Sequence, residues 1–311
     1  MLPEIALSPA IFRSDAYASS SIADVCLGTM YRPLLEECVV RNLQRGAWSQ
    51  FTSSQSALHI KARELLKKLA AKNRLIIHDF STGNTPHTDE EWENEAIASY
   101  QQDGLAGLIF DSQAKEQRHK ENPLVSCPER LHSTPFWRDR PCSCRVSRTV
   151  TEYRKVIDPL LRCANSLAFI DPHLDPEKPQ YRDFLQILLH PVLLGRSIRP
   201  TIEIHRVAWR GNGNDLRPVV QELQSVFSTN WSRPLRENGL KLEVFLWDKF
   251  HDRFLATNLV AMSWSNGFDT TSDQSARVTI SRIDRADLDS LQKEFDQNSA
   301  VHKLVNRFTI G

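Results

Sequence analysis

Between Phe250 and Phe254 the chain places an imidazole, a carboxylate and a guanidinium on consecutive residues, His251-Asp252-Arg253. Alternation along an extended backbone puts His251 and Arg253 on one face and Asp252 on the other. Histidine exchanges protons near neutral pH. Arginine holds an oxyanion through two parallel hydrogen bonds. The pair suits chemistry or recognition at an anionic centre. Asn258 follows shortly after, and Ser265-Asn266-Gly267-Phe268-Asp269 brings a second carboxylate behind a glycine turn.

Other clusters carry a weaker signal. Cys127, His132, Cys142 and Cys144 hold metal-ligating atoms, but a Cys-x2-Cys pair is missing and Cys-x-Cys gives a strained bite. Asp171, His173 and Asp175 could ligate a metal, yet Pro172 and Pro176 favour a tight turn. His78-Asp79 and Trp209, beside Arg210, read as core. Gly211-Asn212-Gly213 could cradle an anion, but Asp215 at the start of the next helix would repel it. No metal or other cofactor is expected.

The elements that must position His251 and Arg253 follow from periodicity. Leu242, Val244 and Leu246 alternate through a strand over 240–246, and a second short apolar run spans Val260–Trp264. Upstream, a helix over 153–164, a strand over 167–170, a helix over 181–194 that can break at Pro191, and a strand over 201–209 come in order. A helix capped by Asp215 carries Leu216, Val219, Val220, Leu223, Val226 and Phe227. Val278–Ile280, a helix over 286–295 and an apolar tail near 305–310 complete the chain. Strands separated by helices imply right-handed parallel crossovers and a mixed sheet flanked by helices.

The N-terminal part, 1–111, reads as mixed α/β with helices dominating. Residues 22–43 have helical spacing interrupted near Pro33, and 58–72 form an amphipathic helix with Ile60, Leu65, Leu66, Leu69 and Ala70 on its buried side. Thr88 and Glu91 have the spacing of a capping box. Strands are expected over 75–80 and 105–110. Residues 112–150, with Pro123, Pro128, Pro135 and Pro141, read as a connector. It is basic: seven cationic side chains stand against two acidic ones between Arg130 and Lys155. Arg138, Arg140, Arg145 and Arg148, with Phe136 and Trp137 among them, are candidate nucleic-acid contacts.

His251-x-Arg253-x4-Asn258, followed by Ser265-Asn266-Gly267-Phe268-Asp269, resembles the phospholipase D superfamily signature. It is closer to a divergent His-Asp-Arg branch, found in the C-terminal domains of MIT-domain proteins and in bacterial phospholipase D-like proteins. His251, Asp252, Arg253, Thr257, Gly267, Phe268 and Asp269 match that branch, while Asn258 stands where it carries Asp. The resemblance implies that 151–311 is one phospholipase D-like α/β repeat following an α-rich N-terminal region. It implies a phosphodiester ligand, nucleic acid above all. In active members one histidine attacks phosphorus, a second protonates the leaving oxygen, and no metal is required. Here His251 would take one of those roles, Arg253 would clamp the phosphate, and Asp269 would belong to the same site. Asn258 cannot stabilise an imidazolium by charge. A single half-site per chain means that turnover would need a homodimer. The expectation is a phosphate-binding or nucleic-acid-binding, complex-forming component without turnover, with protein partners, of the kind found in bacterial defence or mobile-element systems. A dimeric, metal-independent phosphodiesterase or nuclease and a lipid-headgroup reader are the alternatives.

Composition bounds these readings. The 311 residues suffice for two modest domains, and a formal net charge of +1 predicts no global attraction to nucleic acid or membrane. Any electrostatic footprint must be local. No apolar run is long enough to span a bilayer and the N-terminus lacks a basic start. Six cysteines without a dense framework point to a reduced, cytoplasmic chain.

Overall fold

A computed structural model describes residues 2–196, 198–211 and 217–311. They form two compact units, Leu2–Pro141 and Cys142–Gly311.

The first unit contains β1 (Glu4–Leu7), α1 (Ser20–Arg32), β2 (Val39–Asn42), α2 (Ala47–Ser54), α3 (Ile60–Ala71), β3 (Leu75–Ile77), α4 (Asp89–Asp103), β4 (Gly107–Ile109), α5 (Ser112–Arg118), β5 (Val125–Ser126) and α6 (Pro135–Arg138). The strands build a parallel sheet in the order β3-β2-β1-β4-β5. Parallel neighbours need crossovers, and the helices supply them. The expected capping box opens α4: the Glu91 amide donates to Thr88 Oγ1 at 3.2 Å, and the Thr88 amide donates to Glu91 Oε2 at 3.0 Å.

Three expectations change. Residues 22–43 are not one helix. α1 ends at Arg32, a wide turn follows over Pro33–Glu37, and Val39–Asn42 becomes the fully buried β2. Spacing cannot separate a helix from a buried strand in so short an apolar run. Ile60 is 78% exposed, whereas Ala62, Leu65, Leu66 and Leu69 make the buried stripe of α3. It stands two positions before Ala62 and so projects from another side of the helix. The segment 112–150 is ordered structure. β5 pairs with β4, Leu131 and Trp137 are buried in the first unit's core, and residues 143–147 form a strand of the second unit.

The second unit runs β6 (Ser143–Ser147), α7 (Val150–Cys163), β7 (Ser166–Ile170), α8 (Pro179–Arg182), α9 (Phe184–Leu188), α10 (Pro191–Leu194), β8 (Thr201–Val207), β9 (Trp209–Arg210), β10 (Arg217–Pro218), α11 (Val220–Glu237), β11 (Leu242–Trp247), β12 (Phe254–Thr257), β13 (Ala261–Trp264), β14 (Arg277–Arg282), α12 (Arg285–Glu294) and β15 (Leu304–Ile310). Its sheet has eight strands in the order β15-β11-β8-β7-β12-β13-β14-β6. β11, β8 and β7 are parallel; β15 and the run from β12 to β6 are antiparallel. This is the mixed sheet with flanking helices that the sequence implied. The expected cap at Asp215, Leu216 and the turn residues Asn212, Gly213 and Asn214 lie outside the described residues.

β11 is buried along both of its faces. Phe245 and Trp247 join Ile170, Ala256, Leu288, Leu291 and Phe295 in one cluster under α12. Elsewhere the Phe169 ring meets Phe184 at 4.8 Å and Phe268 at 5.3 Å, and Phe184 stacks on Trp231 at 5.8 Å. Each such side chain contributes about 1.5–3 kcal/mol by leaving water. Among the described residues, no helix is long and apolar enough to cross a membrane.

Candidate functional site

β8 and β7 lie between β11 and β12 in the sheet. The chain leaving Trp247 must therefore cross the carboxyl ends of two parallel strands before Phe254 pairs with Ile170. Residues 248–253 are that crossing. Outside the carboxyl ends of parallel strands is where open α/β sheets place their ligands. His251-Asp252-Arg253 lie outside the strands here, so the alternation does not hold. His251 and Asp252 are both exposed, and Arg253 is 26% exposed.

Asp171, directly after β7, is the hub. It is fully buried, and its Oδ1 accepts from the His173 amide at 2.9 Å. Its Oδ2 accepts from the Phe268 amide at 3.1 Å and the Tyr181 hydroxyl at 3.3 Å. Arg253 Nε stands 3.9 Å from Oδ1, and Arg253 Nη1 donates to the His251 carbonyl at 3.4 Å. A buried carboxylate surrounded by donors fixes both the His173 turn and the Gly267 turn. Gly267 has φ +81°, and a Cβ there would run into Asp171 Oδ2 and come within 3.1 Å of Arg253 Cδ.

Asp269 extends the network. Arg148 pairs with its Oδ2, and Tyr153 donates to its carbonyl at 2.8 Å. Burial pushes the Asp269 carboxyl above its usual range; Arg148 opposes that and Asp171 adds to it. Asp269 Oδ1 and Arg148 Nε are buried without a hydrogen-bond partner.

Above this network lies a pocket of about 770 Å³, lined by His173, Lys178, Arg206, Arg210, Lys249 and His251, with Trp209, Phe250 and Asp248 in its wall. Two of its cations are neutralised. Arg206 and Arg210 share the buried Asp175, at 3.5 and 2.6 Å. Burial lowers the Arg206 pKa to about 10. Lys178 and Lys249 are exposed, and neither ammonium has an ionic or hydrogen-bond partner among the described residues. The His173 imidazole is pushed below the ordinary histidine value, first by desolvation and then by Arg253, Lys178 and Arg206, against the pull of Asp171.

The remaining sequence candidates divide. Asn258 sits at the other end of β12, where its Oδ1 accepts from the amides of Asn165 and Ser166 at 2.7 and 3.4 Å. It therefore braces the amino end of β7, away from His251. Arg138 and Arg140 fall in the first unit, where Arg138 is held by Asp139 at 2.7 Å and Arg140 stacks on Trp137 at 3.9 Å and pairs with Glu37. Arg145 lies exposed on β6 and Arg148 is engaged by Asp269. Cys127 and His132 belong to one unit, Cys142 and Cys144 to the other. Among the described residues, no group of three or more His, Cys, Asp or Glu side chains could hold a metal ion. Asp171-Pro172-His173 and Asp175 close turns, Asp175 Oδ1 accepting from the Glu177 amide at 3.2 Å. His205 is buried, stacked on Phe245 at 4.7 Å, with Trp247 Nε1 donating to its Nδ1 at 3.1 Å. His78 packs as core and bonds Asp103 at 2.9 Å.

Sequence reasoning missed Lys178 and Lys249, since isolated lysines in loops carry no periodic signal. It singled out His173 as a possible metal ligand within a turn, not as the second imidazole of this pocket. Trp209, read as core, is partly exposed on the short β9–β10 ribbon.

No protein-family model and no curated protein matches the sequence. Among solved structures the chain is similar to Nuc from Salmonella typhimurium, a phospholipase D family member, at 11% identity and TM-score 0.31, over 54% of this chain and 99% of that one. It is also similar to TrmBL2, an archaeal chromatin protein whose structure shows a novel mode of DNA binding, at 12% identity and TM-score 0.30, over 81% of this chain and 86% of that one.

Proposed function

We propose that the second unit is a phospholipase D-like domain that binds phosphodiesters, nucleic acid in the first instance, without turning them over. One observation carries this reading: two unpaired lysines and two imidazoles share a pocket at the carboxyl edge of the parallel strands. The His-Asp-Arg motif and the strand order support it. Turnover is disfavoured because no carboxylate bonds the His251 ring among the described residues, and Asn258 lies at the far end of β12. The test is retention of single-stranded oligonucleotide across a salt series. Lys178→Ala with Lys249→Ala should weaken binding and reduce the log–log salt slope by about 1.4, two phosphate contacts' worth. Arg253→Ala should weaken binding further, with His251→Ala the milder change. An unaltered slope in the double variant sinks the reading.

A metal-independent phosphodiesterase is the second reading. It is favoured by His173 and His251 lining one pocket, so that two imidazoles are present in a single chain. Cleavage of DNA, RNA or phospholipid by the wild type in chelator, lost in His251→Ala, would establish it.

A further inference from the structure

Six of the seven tryptophans, Trp48, Trp92, Trp137, Trp231, Trp247 and Trp264, are buried. Trp209 is the exception, and it lines the basic pocket beside Lys249 and His251. A partly exposed indole offers a ligand an apolar ring together with an N–H donor. Trp209 sits on β9, which pairs with β10 through Pro218↔Trp209 and Arg217↔Arg210. Its carbonyl is the part the fold uses, accepting from Arg206 Nη2 at 3.5 Å. Phe250, buried on the crossing segment, adds a second aromatic to the wall. The pocket thus has a dual lining: cations at Lys178 and Lys249, and the partly exposed indole of Trp209. A phosphate alone needs only the first. A lipid headgroup such as glycerol phosphate has no ring to lay on the second. A nucleobase joined to a phosphodiester uses both, and the base is reachable only where it is not paired in a duplex. The volume of about 770 Å³ is in the range of pockets that hold small organic ligands, about 300–1,000 Å³, rather than a bare ion.

We propose that Trp209 is the base-stacking platform of this pocket, so that the ligand is a single-stranded segment of nucleic acid. The inference rests on the phosphodiester-binding reading and adds the class of ligand to it.

Three probes test it: a short oligothymidylate, an abasic phosphodiester oligomer of the same length, and vesicles of anionic phosphatidylglycerol. The wild type should bind oligothymidylate about tenfold more tightly than the abasic oligomer, the scale expected for one stacked base. Trp209→Ala should remove that preference and leave abasic binding unchanged; Trp209→Phe should restore part of it. Because the other tryptophans are buried, the fluorescence accessible to iodide should come from Trp209, be protected by oligothymidylate, and vanish in Trp209→Phe. Equal affinity of the wild type for both oligomers overturns the stacking role while leaving phosphate binding intact. Binding to neither oligomer overturns both readings. Vesicle binding that depends on Trp209 overturns this one in favour of a lipid surface. A Trp209→Ala protein that does not fold leaves the decision with Trp209→Phe and the iodide measurement, both made on folded protein.

Discussion

Gly267 and Asp171 show how little tolerance the site has at the level of single residues. A left-handed φ of +81° strains any L side chain, and the space a methyl group would take is filled by the Asp171 carboxylate. Gly267→Ala should therefore cost about 1–3 kcal/mol in a thermal melt, and also weaken oligonucleotide binding, because Arg253 borders the same space. A variant with unchanged melting would show that the turn has room to adjust. The residue scale is also where the sequence reading was least complete. His251, Arg253, Gly267 and Asp269 stood out because they are close in sequence and chemically conspicuous. Asp171 and His173 contribute from a strand that is distant in the chain, and only the β7–β12 pairing brings them together.

β12 has one function at each end: its amino end continues the crossing that carries Arg253, and past its carboxyl end Asn258 holds the amides of Asn165 and Ser166. Asn258→Ala should cost about 1 kcal/mol of stability from those lost bonds, with ligand affinity unchanged. A binding loss as large as that of Arg253→Ala would return Asn258 to the site. The long elements of the second unit were legible because their periods are: α11 buries Leu223 and Phe227 at helical spacing, and β11 carries Leu242, Val244 and Leu246 at alternate positions. The sheet of the first unit was largely hidden. Its strands have two to four residues, shorter than the window over which alternation or an apolar run can be told from a helix turn.

The whole chain comprises two units with separate cores, and its pH response should be equally divided. In the first unit Glu93 is buried, receives the Ser8 hydroxyl at 2.9 Å and pairs with Arg118. Burial outweighs those partners and raises its carboxyl to about 7. The native state then binds the Glu93 proton more tightly than the unfolded chain does. Its contribution is complete below the ordinary glutamate range and is lost as pH rises through about 7. Across that interval the first unit should lose about 3 kcal/mol at most, and Glu93→Gln should flatten the loss. Melts recorded between pH 4 and 8 check this. A transition assigned to the second unit should show no such dependence on residue 93, and an equal slope in wild type and Glu93→Gln would refute the assignment.

The crossing over residues 248–253 is also a matter of contour length. From β11 to β12 the chain must traverse three strand spacings, about 14 Å, and the seven Cα steps from Trp247 to Phe254 reach at most about 25 Å. Ordinary surface loops absorb insertions at small thermodynamic cost. Here the slack of about 10 Å is taken up by placing His251 and Arg253 at the pocket rim. Lengthening it by a residue would leave both anchoring strands in register yet slide His251 and Arg253 along the pocket rim relative to Lys178 and His173. The segment is therefore expected to keep its length as well as His251 and Arg253, in the way that a bridge keeps its span when only its deck is replaced.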